Sequence, residues 1–135
     1  VLMELGCDVS ELMDLRLGAC RVCVAAREGY AEDPEAPLRV ATKYPRIARD
    51  FYAARNREIE IIRLNGSIEL APLLGMSDVI VDIVESGKTL RENKLSVLET
   101  VCPVSARLIA NRSGYLFETE KIRALKAALA EVLDA

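Results

Sequence analysis

The chain contains 135 residues, of which 51% are hydrophobic, and this is enough to bury a core in one domain or in parts of two lobes. Its formal charge of −3 and its isoelectric point near 5.1 exclude the basic surface that a nucleic-acid backbone requires, so any anion must be bound locally. Histidine is absent, which argues against catalytic-triad chemistry and catalytic zinc.

The first predicted elements are two short apolar-periodic segments separated by Gly6. Residues 1–5 and 9–15 are both interpreted as helical, and Ser10 is a candidate N-cap for the second segment. Because the sequence begins without methionine and inside a predicted helix, we expect the natural N-terminus to lie upstream. The first residues also lack the charged and apolar regions of a signal peptide.

Strands and helices are predicted to alternate through the centre of the chain, which is typical of a parallel α/β sheet with crossover connections. Pro45 occupies the first helical position, where proline is favoured. The last helix carries an apolar stripe between Ile122 and Leu133, which indicates a core or subunit contact. The predicted strands are 17–26, 39–43, 58–64, 79–84, 95–100 and 106–111, and the predicted helices are 45–54, 68–74, 89–94 and 116–133.

The cysteines favour a reducing compartment. Cys20 and Cys23 have the spacing of a zinc or redox pair, but residues three apart on a strand point to opposite faces and cannot share a metal. We therefore interpret Cys7, Cys20, Cys23 and Cys102 as free thiols. No run of eighteen apolar residues is present, so we expect no membrane span and a cytoplasmic location.

The central segment is Val79–Val84, an apolar run that is β-branched throughout except for Asp82 and fits a strand buried on both faces. It is followed by Glu85, Ser86, Gly87, Lys88 and Thr89, and then by a short polar helix. This turn offers a flexible glycine, two hydroxyls, one positive charge and free backbone amides beyond the carboxyl end of a strand. Such a turn is typical of a phosphate-binding site.

Two phosphate-binding signatures are close to this segment. Gly87, Lys88 and Thr89 match the end of a Walker A loop, but the first glycine of that loop falls on Asp82, which argues against a P-loop NTPase. The pattern instead resembles the ribose 5-phosphate loop of phosphoribosyltransferases, although the second acid is Glu85 rather than the neighbour of Asp82. The alternative is a capped strand-to-helix turn in which Asp82 only accepts hydrogen bonds from nearby backbone.

Several further blocks occur in order, and together they give nearly the whole chain a resemblance to the ATP phosphoribosyltransferase family, which opens histidine biosynthesis. The blocks are 39–45 (RVATKYP), 61–75 (IIRLNGSIELAPLLG), 78–90 (DVIVDIVESGKTL) and 105–112 (SARLIANR). The resemblance implies a two-lobed α/β fold of the type II periplasmic-binding-protein kind, with the site in the cleft between the lobes.

The same resemblance implies how the chain is organised. Residues 1–16 correspond to the end of a first-lobe segment and its crossover, 17–104 to the second lobe, and 105–135 to a return strand and C-terminal helix of the first lobe. One lobe is then incomplete, because the family's N-terminal segment has no counterpart here. The chain resembles the short form of the family, which implies a homo-oligomer working with a histidyl-tRNA-synthetase-like regulatory subunit.

The reaction implied by the resemblance joins ATP to phosphoribosyl pyrophosphate, with Mg²⁺ bridging the pyrophosphate and ribose oxygens and pyrophosphate leaving. It requires alignment and charge stabilisation more than a protein base, which suits a chain without histidine. On this interpretation Asp82 faces the ribose, and no protein ligand is assigned to the metal. The 5′-phosphate is held by Glu85, Ser86, Gly87, Lys88 and Thr89.

Two other turns are weaker candidates. Thr42, Lys43 and Tyr44 end a strand and open a helix, so they are candidate cleft contacts, with a simple helix cap as the alternative. The turn at 65–67 also precedes a helix, but Glu69 in its first turn would repel a phosphate, so ordinary turn chemistry is favoured there.

Three functions stay open on the sequence alone. The first is the ATP phosphoribosyltransferase reaction. The second is a non-catalytic solute-binding or anion-binding module, because fold does not fix function. The third is a phosphoribosyltransferase that accepts a nucleobase.

Overall fold

The computed structural model describes residues 1–111 and 119–134. The helices are α1 (Leu2–Leu5), α2 (Pro45–Ala53), α3 (Leu70–Leu73), α4 (Lys88–Glu92) and α5 (Thr119–Leu133), and the strands are β1 (Val9–Asp14), β2 (Cys20–Arg27), β3 (Leu38–Thr42), β4 (Ile59–Arg63), β5 (Val79–Val84), β6 (Leu95–Val104) and β7 (Arg107–Asn111). Among the described residues, no helix combines the length and the apolar character needed to cross a membrane.

The chain divides into two compact units. The first unit consists of Val1–Leu5 and Cys20–Pro103, and the second consists of residues 6–19 together with residues from 104 onwards. The lobe boundaries inferred from the family resemblance stay a prediction.

The first unit is built on a five-stranded sheet with the strand order β4-β3-β5-β2-β6. β3 runs parallel to both β4 and β5, so the predicted parallel sheet with crossovers is confirmed for these three strands. β2 is antiparallel to β5, with Ala26 opposite Val79 and Arg21 opposite Val84. A polar loop rather than a crossover helix leads from β2 to β3, so nothing in that connection imposes a parallel direction.

β5 lies in the middle of this sheet, and its first three residues, Val79–Val81, are buried. β-branched side chains pack well on a pleated surface that is covered on both faces. Burial is interrupted in the second half of the strand, where Asp82 is half-buried and Ile83 is 41% exposed, although the last residue, Val84, is buried again. The predicted burial on both faces is therefore confirmed for residues 79–81, and of the remaining three residues only Val84 is buried before the open polar turn begins.

The second unit contains an antiparallel pair, β1 and β7, in which Val9 lies opposite Asn111 and Asp14 opposite Arg107. The prediction of a helix over residues 9–15 is therefore wrong. Pairing with a strand about a hundred residues later overrides the local apolar spacing, which fits both periods in so short a segment. α5 occupies most of the predicted terminal helix, and the predicted residues 116–118 lie outside the described residues.

Two matched substitutions on β5 test where the core ends. Ile80→Ala should lower the free energy of unfolding by about 2–5 kcal/mol, because Ile80 is fully buried and the cavity left behind cannot collapse completely. Ile83→Ala removes the same atoms from an exposed position and should cost less than about 1 kcal/mol. Urea denaturation followed by circular dichroism measures both, and equal losses would contradict the assigned burial.

Candidate functional site

The turn after β5 is shaped by one glycine. Gly87 has a φ of 77°, a left-handed conformation that other residues adopt at a cost, and it is the N-cap residue of α4. A Cβ atom placed on Gly87 would lie 3.2 Å from Nη1 of Arg91 and 4.0 Å from Val84. Glycine is therefore favoured here chiefly by the left-handed conformation, and any Cβ would also have to displace the end of the Arg91 side chain.

A cavity of about 300 Å³ opens at this turn. All six residues to which the sequence analysis assigned phosphoribosyl pyrophosphate contribute to its lining, so the structure brings them together in one wall. The lining consists of Glu69, Asp82, Ile83, Val84, Glu85, Ser86, Gly87, Lys88, Thr89 and Leu90.

The backbone amides of the turn are available to a ligand. Within residues 1–111 and 119–134, the N–H groups of Ser86, Gly87 and Thr89 have no intramolecular acceptor. The N–H group of Lys88 donates only to the hydroxyl of Ser86, at the long distance of 3.4 Å. Successive unpaired amides in a turn form a concave surface with positive partial charge, which favours an anion.

Asp82 stands at the floor of the cavity in a half-buried position. Its Oδ1 accepts a hydrogen bond of 2.8 Å from the N–H group of Ile83, which leaves Oδ2 free for a ligand. The pKa of Asp82 is raised above 3.8, chiefly because burial disfavours the charged carboxylate. The charge of Glu69 raises this pKa further, while the Ile83 hydrogen bond and the charge of Lys43 lower it.

The charged side chains of the cavity are mostly acidic. Glu69, Asp82 and Glu85 contribute carboxylates, and Lys88 contributes an ammonium group that lies 3.9 Å from Glu92 on the exposed face of α4. The side chains alone therefore give this wall an unfavourable field for a phosphate. Attraction must come from the amides and from any cation that accompanies the ligand.

The second group of candidates lies beside the cavity rather than in its lining. Thr42 is fully buried, where its hydroxyl donates to the carbonyl of Val81 at 2.7 Å and accepts from the N–H group of Tyr44 at 2.9 Å. Thr42 thus fastens the end of β3 to β5 and holds the next turn, and a ligand cannot reach its hydroxyl. Lys43 is exposed, and Tyr44 is half-buried with its pKa raised by burial and by the charge of Asp82.

The start of α2 has a partner that no local pattern indicates. Pro45 is at the first helical position, as predicted, and the carboxylate of Glu4 accepts hydrogen bonds from the N–H groups of Arg46 and Ile47 at 2.9 and 2.8 Å. Glu4 therefore caps this helix from 42 residues away. The sequence shows only an acidic residue in α1, and nothing local assigns it to α2.

Two functional candidates near the turn were missed by the sequence analysis. Glu69 was expected in the first turn of a helix, yet α3 begins only at Leu70 and the Glu69 side chain lines the cavity. Arg91 was given no role, yet its Nη1 donates a hydrogen bond of 3.1 Å to the carbonyl of Ser86. The spacing between Arg91 and Gly87 on a short helix was the available signal. The turn at 65–67 does not contribute to the lining, which agrees with its interpretation as ordinary turn chemistry.

The family model of ATP phosphoribosyltransferase (HisG) matches residues 1–131. The chain belongs to the ATP phosphoribosyltransferase family. Curated relatives with that name include one from Brachyspira hyodysenteriae, 53% identical over 134 residues, and one from Clostridioides difficile, 50% identical over 125 residues. These matches cover 98% and 90% of this chain, but only 65% and 59% of the respective relatives.

Solved structures agree with the family and with the predicted fold class. The chain resembles the ATP phosphoribosyl transferase (HisG:HisZ) complex from Thermotoga maritima with a TM-score of 0.87 and 32% identity, covering 98% of this chain and 66% of that one. It also resembles the arginine-binding protein of Thermotoga maritima, with a TM-score of 0.59 at 12% identity over 92% of this chain and 56% of that one. This second likeness concerns the fold alone, and it confirms a type II periplasmic-binding-protein-like α/β architecture.

Substitution of Thr42 tests the hydrogen bonds by which its hydroxyl connects β3 to β5 and to the turn at Tyr44. Thr42→Val removes both hydrogen bonds of the hydroxyl, so the amide of Tyr44 should exchange with solvent at least about 10-fold faster and the chain should lose about 1–3 kcal/mol of stability. Thr42→Ser keeps the hydroxyl and should leave the exchange of Tyr44 close to that of the parent. Hydrogen exchange measured by NMR decides the matter, and an unchanged rate in Thr42→Val would contradict the assigned bonds.

Proposed function

We propose that this chain forms part of an ATP phosphoribosyltransferase, which condenses ATP with phosphoribosyl pyrophosphate to give phosphoribosyl-ATP and pyrophosphate in the first step of histidine biosynthesis. Family membership supports the reaction, and the turn after β5 supports the position of the phosphoribosyl group. The single observation that carries the proposal is the cavity whose lining combines Asp82 with the residues whose amides are unpaired.

The turn holds the terminal phosphate of the sugar. The N–H groups of Ser86, Gly87 and Thr89 donate to the phosphate oxygens, and the hydroxyls of Ser86 and Thr89 and the ammonium of Lys88 are close enough to add contacts. Gly87 contributes through its left-handed φ of 77°, which glycine adopts at little cost and which gives the turn its shape. This arrangement fixes one end of the substrate.

Asp82 orients the ribose. Its Oδ2 is free of intramolecular hydrogen bonds among the described residues and accepts from a ribose hydroxyl, while the bond from Ile83 keeps the carboxylate in one orientation. With the phosphate and the ribose both held, the anomeric carbon has a fixed position relative to the attacking nucleotide. Alignment of this kind lowers the barrier without a protein base.

Bond formation needs no proton transfer at its start. The N1 atom of adenine carries a lone pair and no proton, so it attacks the anomeric carbon directly. The bond from that carbon to the pyrophosphate oxygen breaks, and the electron pair leaves with pyrophosphate. A chain without histidine can therefore support this chemistry by binding and charge stabilisation.

Mg²⁺ is proposed as the cofactor, carried mainly by the substrate. Mg²⁺ bound with a phosphorylated substrate usually keeps substrate oxygens and water as most of its ligands, so few protein carboxylates are needed. Asp82 is the carboxylate best placed to meet it, and Glu69 is the second. When bound, the ion would neutralise charge on the leaving pyrophosphate and offset the acidic wall of the cavity.

The proposed partners follow from the relatives. The solved complex from Thermotoga maritima contains two kinds of chain, which supports a regulatory subunit for this one. We propose that this subunit is histidyl-tRNA-synthetase-like, that the catalytic chain is a homo-oligomer, and that the assembly works in the cytoplasm without nucleic acid or membrane. ATP and phosphoribosyl pyrophosphate are the proposed substrates.

A charge placed in the turn tests the proposed phosphate site. In the full-length protein, Gly87→Glu should weaken phosphoribosyl pyrophosphate binding by at least about 100-fold, because a side chain at this left-handed position strains the turn, displaces the Arg91 guanidinium and adds a negative charge beside the amides that bind the phosphate. Gly29→Glu is the matched control, since Gly29 also has a left-handed φ, of 80°, and its Cβ would meet no atom within 4 Å. Isothermal titration calorimetry measures both, and normal affinity in Gly87→Glu would rule out the proposed site.

The ionisation of Asp82 provides an independent test of the site's electrostatics. The carboxyl should titrate above 3.8, and Glu69→Gln should lower its pKa whereas Lys43→Met should raise it. Because folding raises the pKa of Asp82, the folded state favours the protonated carboxyl over the carboxylate. The free energy of unfolding therefore decreases as the pH rises through the folded pKa. Asp82→Asn should therefore stabilise the fold at neutral pH and have little effect at low pH.

Carbon-13 chemical shifts of the Asp82 carboxyl, followed against pH in the parent and in both variants, give these pKa values directly. Shifts of the same sign in Glu69→Gln and Lys43→Met would contradict the geometry described for this wall.

A further inference from the structure

We propose that Arg91 is a positioning residue that keeps the amide of Gly87 turned toward the cavity. This inference rests on the proposed phosphate-binding role of the turn. It concerns a residue outside the cavity lining, which acts through the backbone rather than by touching a ligand.

Arg91 contacts the backbone of the turn directly. Nη1 of Arg91 donates a hydrogen bond of 3.1 Å to the carbonyl oxygen of Ser86. The same atom lies 3.2 Å from the point at which a Cβ of Gly87 would stand, so the guanidinium group lies against the Ser86–Gly87 peptide. Ser86 and Gly87 line the cavity, whereas Arg91 does not.

The trans geometry of the Ser86–Gly87 peptide links the position of its carbonyl to the direction of its N–H group. No cis peptide is present among the described residues, and in a trans peptide the C=O and N–H groups point in opposite directions. A carbonyl of Ser86 that is held by Arg91, on the side away from the cavity, therefore turns the N–H group of Gly87 to the cavity side. The N–H group of Gly87 has no hydrogen-bond acceptor in the part of the chain that the structure describes.

The hydrogen bond from Arg91 disfavours an alternative orientation of the Ser86–Gly87 peptide. Rotation of the Ser86–Gly87 peptide by about half a turn changes only ψ of Ser86 and φ of Gly87, and glycine accepts either sign of φ at little cost. The rotated peptide would present the Ser86 carbonyl to the ligand, and a carbonyl dipole in that position repels a phosphate. Arg91 selects the amide-inward orientation before the ligand arrives, which reduces the reorganisation needed on binding.

The test uses ribose 5-phosphate as the probe and full-length protein labelled with [15N]glycine. Arg91→Met should weaken binding by about 10-fold, the equivalent of one charge-assisted hydrogen bond. Arg91→Lys, which can still donate to the carbonyl, should bind within about 3-fold of the parent. Arg63→Met is the matched control, because Arg63 is exposed at the end of β4 and its side chain has no hydrogen-bond or ion-pair partner among the described residues.

Two readouts separate this role from a structural or purely electrostatic one. In the parent, the Gly87 amide proton should move downfield on addition of the probe, and in Arg91→Met this shift should be lost while the urea midpoint stays unchanged. The affinity ratio between parent and Arg91→Met should also persist at 0.5 M salt, where a long-range charge effect would be screened.

An Arg91→Met protein with parental affinity and a parental Gly87 shift would overturn this inference and leave the proposed function intact. Loss of the affinity ratio at high salt would likewise overturn it. If the parent itself shows no shift at the amides of the turn, the proposed phosphate site fails together with the inference.

Discussion

The site depends on the anchoring of β5 in the core of the sheet. Its first half is held between β3 and β2 in the middle of the sheet, with Val79, Ile80 and Val81 packed on both sides. Apolar burial of this kind contributes roughly 1.5–3 kcal/mol per side chain and fixes the strand firmly. The turn that follows is therefore anchored at one end by the core, and its amides can stay unpaired without the strand unravelling.

An acidic wall and an anionic ligand are compatible only because different groups meet different parts of the ligand. On the proposed assignment, the unpaired amides of Ser86, Gly87 and Thr89 bind the phosphate end, and the carboxylates of Asp82 and Glu69 meet the sugar and the metal ion. The raised pKa of Asp82 reflects the cost of holding that carboxylate beside a second acid in a half-buried place. Functional sites commonly retain such unfavourable contacts, since a bound cation or ligand relieves them.

The sequence predicted those features that are encoded by contiguous residues. A run of β-branched residues followed by an acidic, glycine-containing turn correctly predicted β5 at residues 79–84. The six candidate residues chosen from this segment all line the cavity. Features that depend on distant partners were missed, because no local pattern reports them. β1 is a strand only through its pairing with β7, Glu4 caps α2 across 42 residues, and Glu69 reaches the cavity because the chain after β4 returns toward β5.

On the proposed function, the amides after β5 bind the terminal phosphate of a phosphoribosyl substrate. A crystal structure of the full-length protein with phosphoribosyl pyrophosphate and Mg²⁺ measures this most directly. We expect the phosphate oxygens to lie about 2.7–3.2 Å from the backbone nitrogens of Ser86, Gly87 and Thr89. We also expect the ribose hydroxyls to lie beside Asp82. A phosphate bound elsewhere, with those nitrogens bonded only to water or protein, would contradict it.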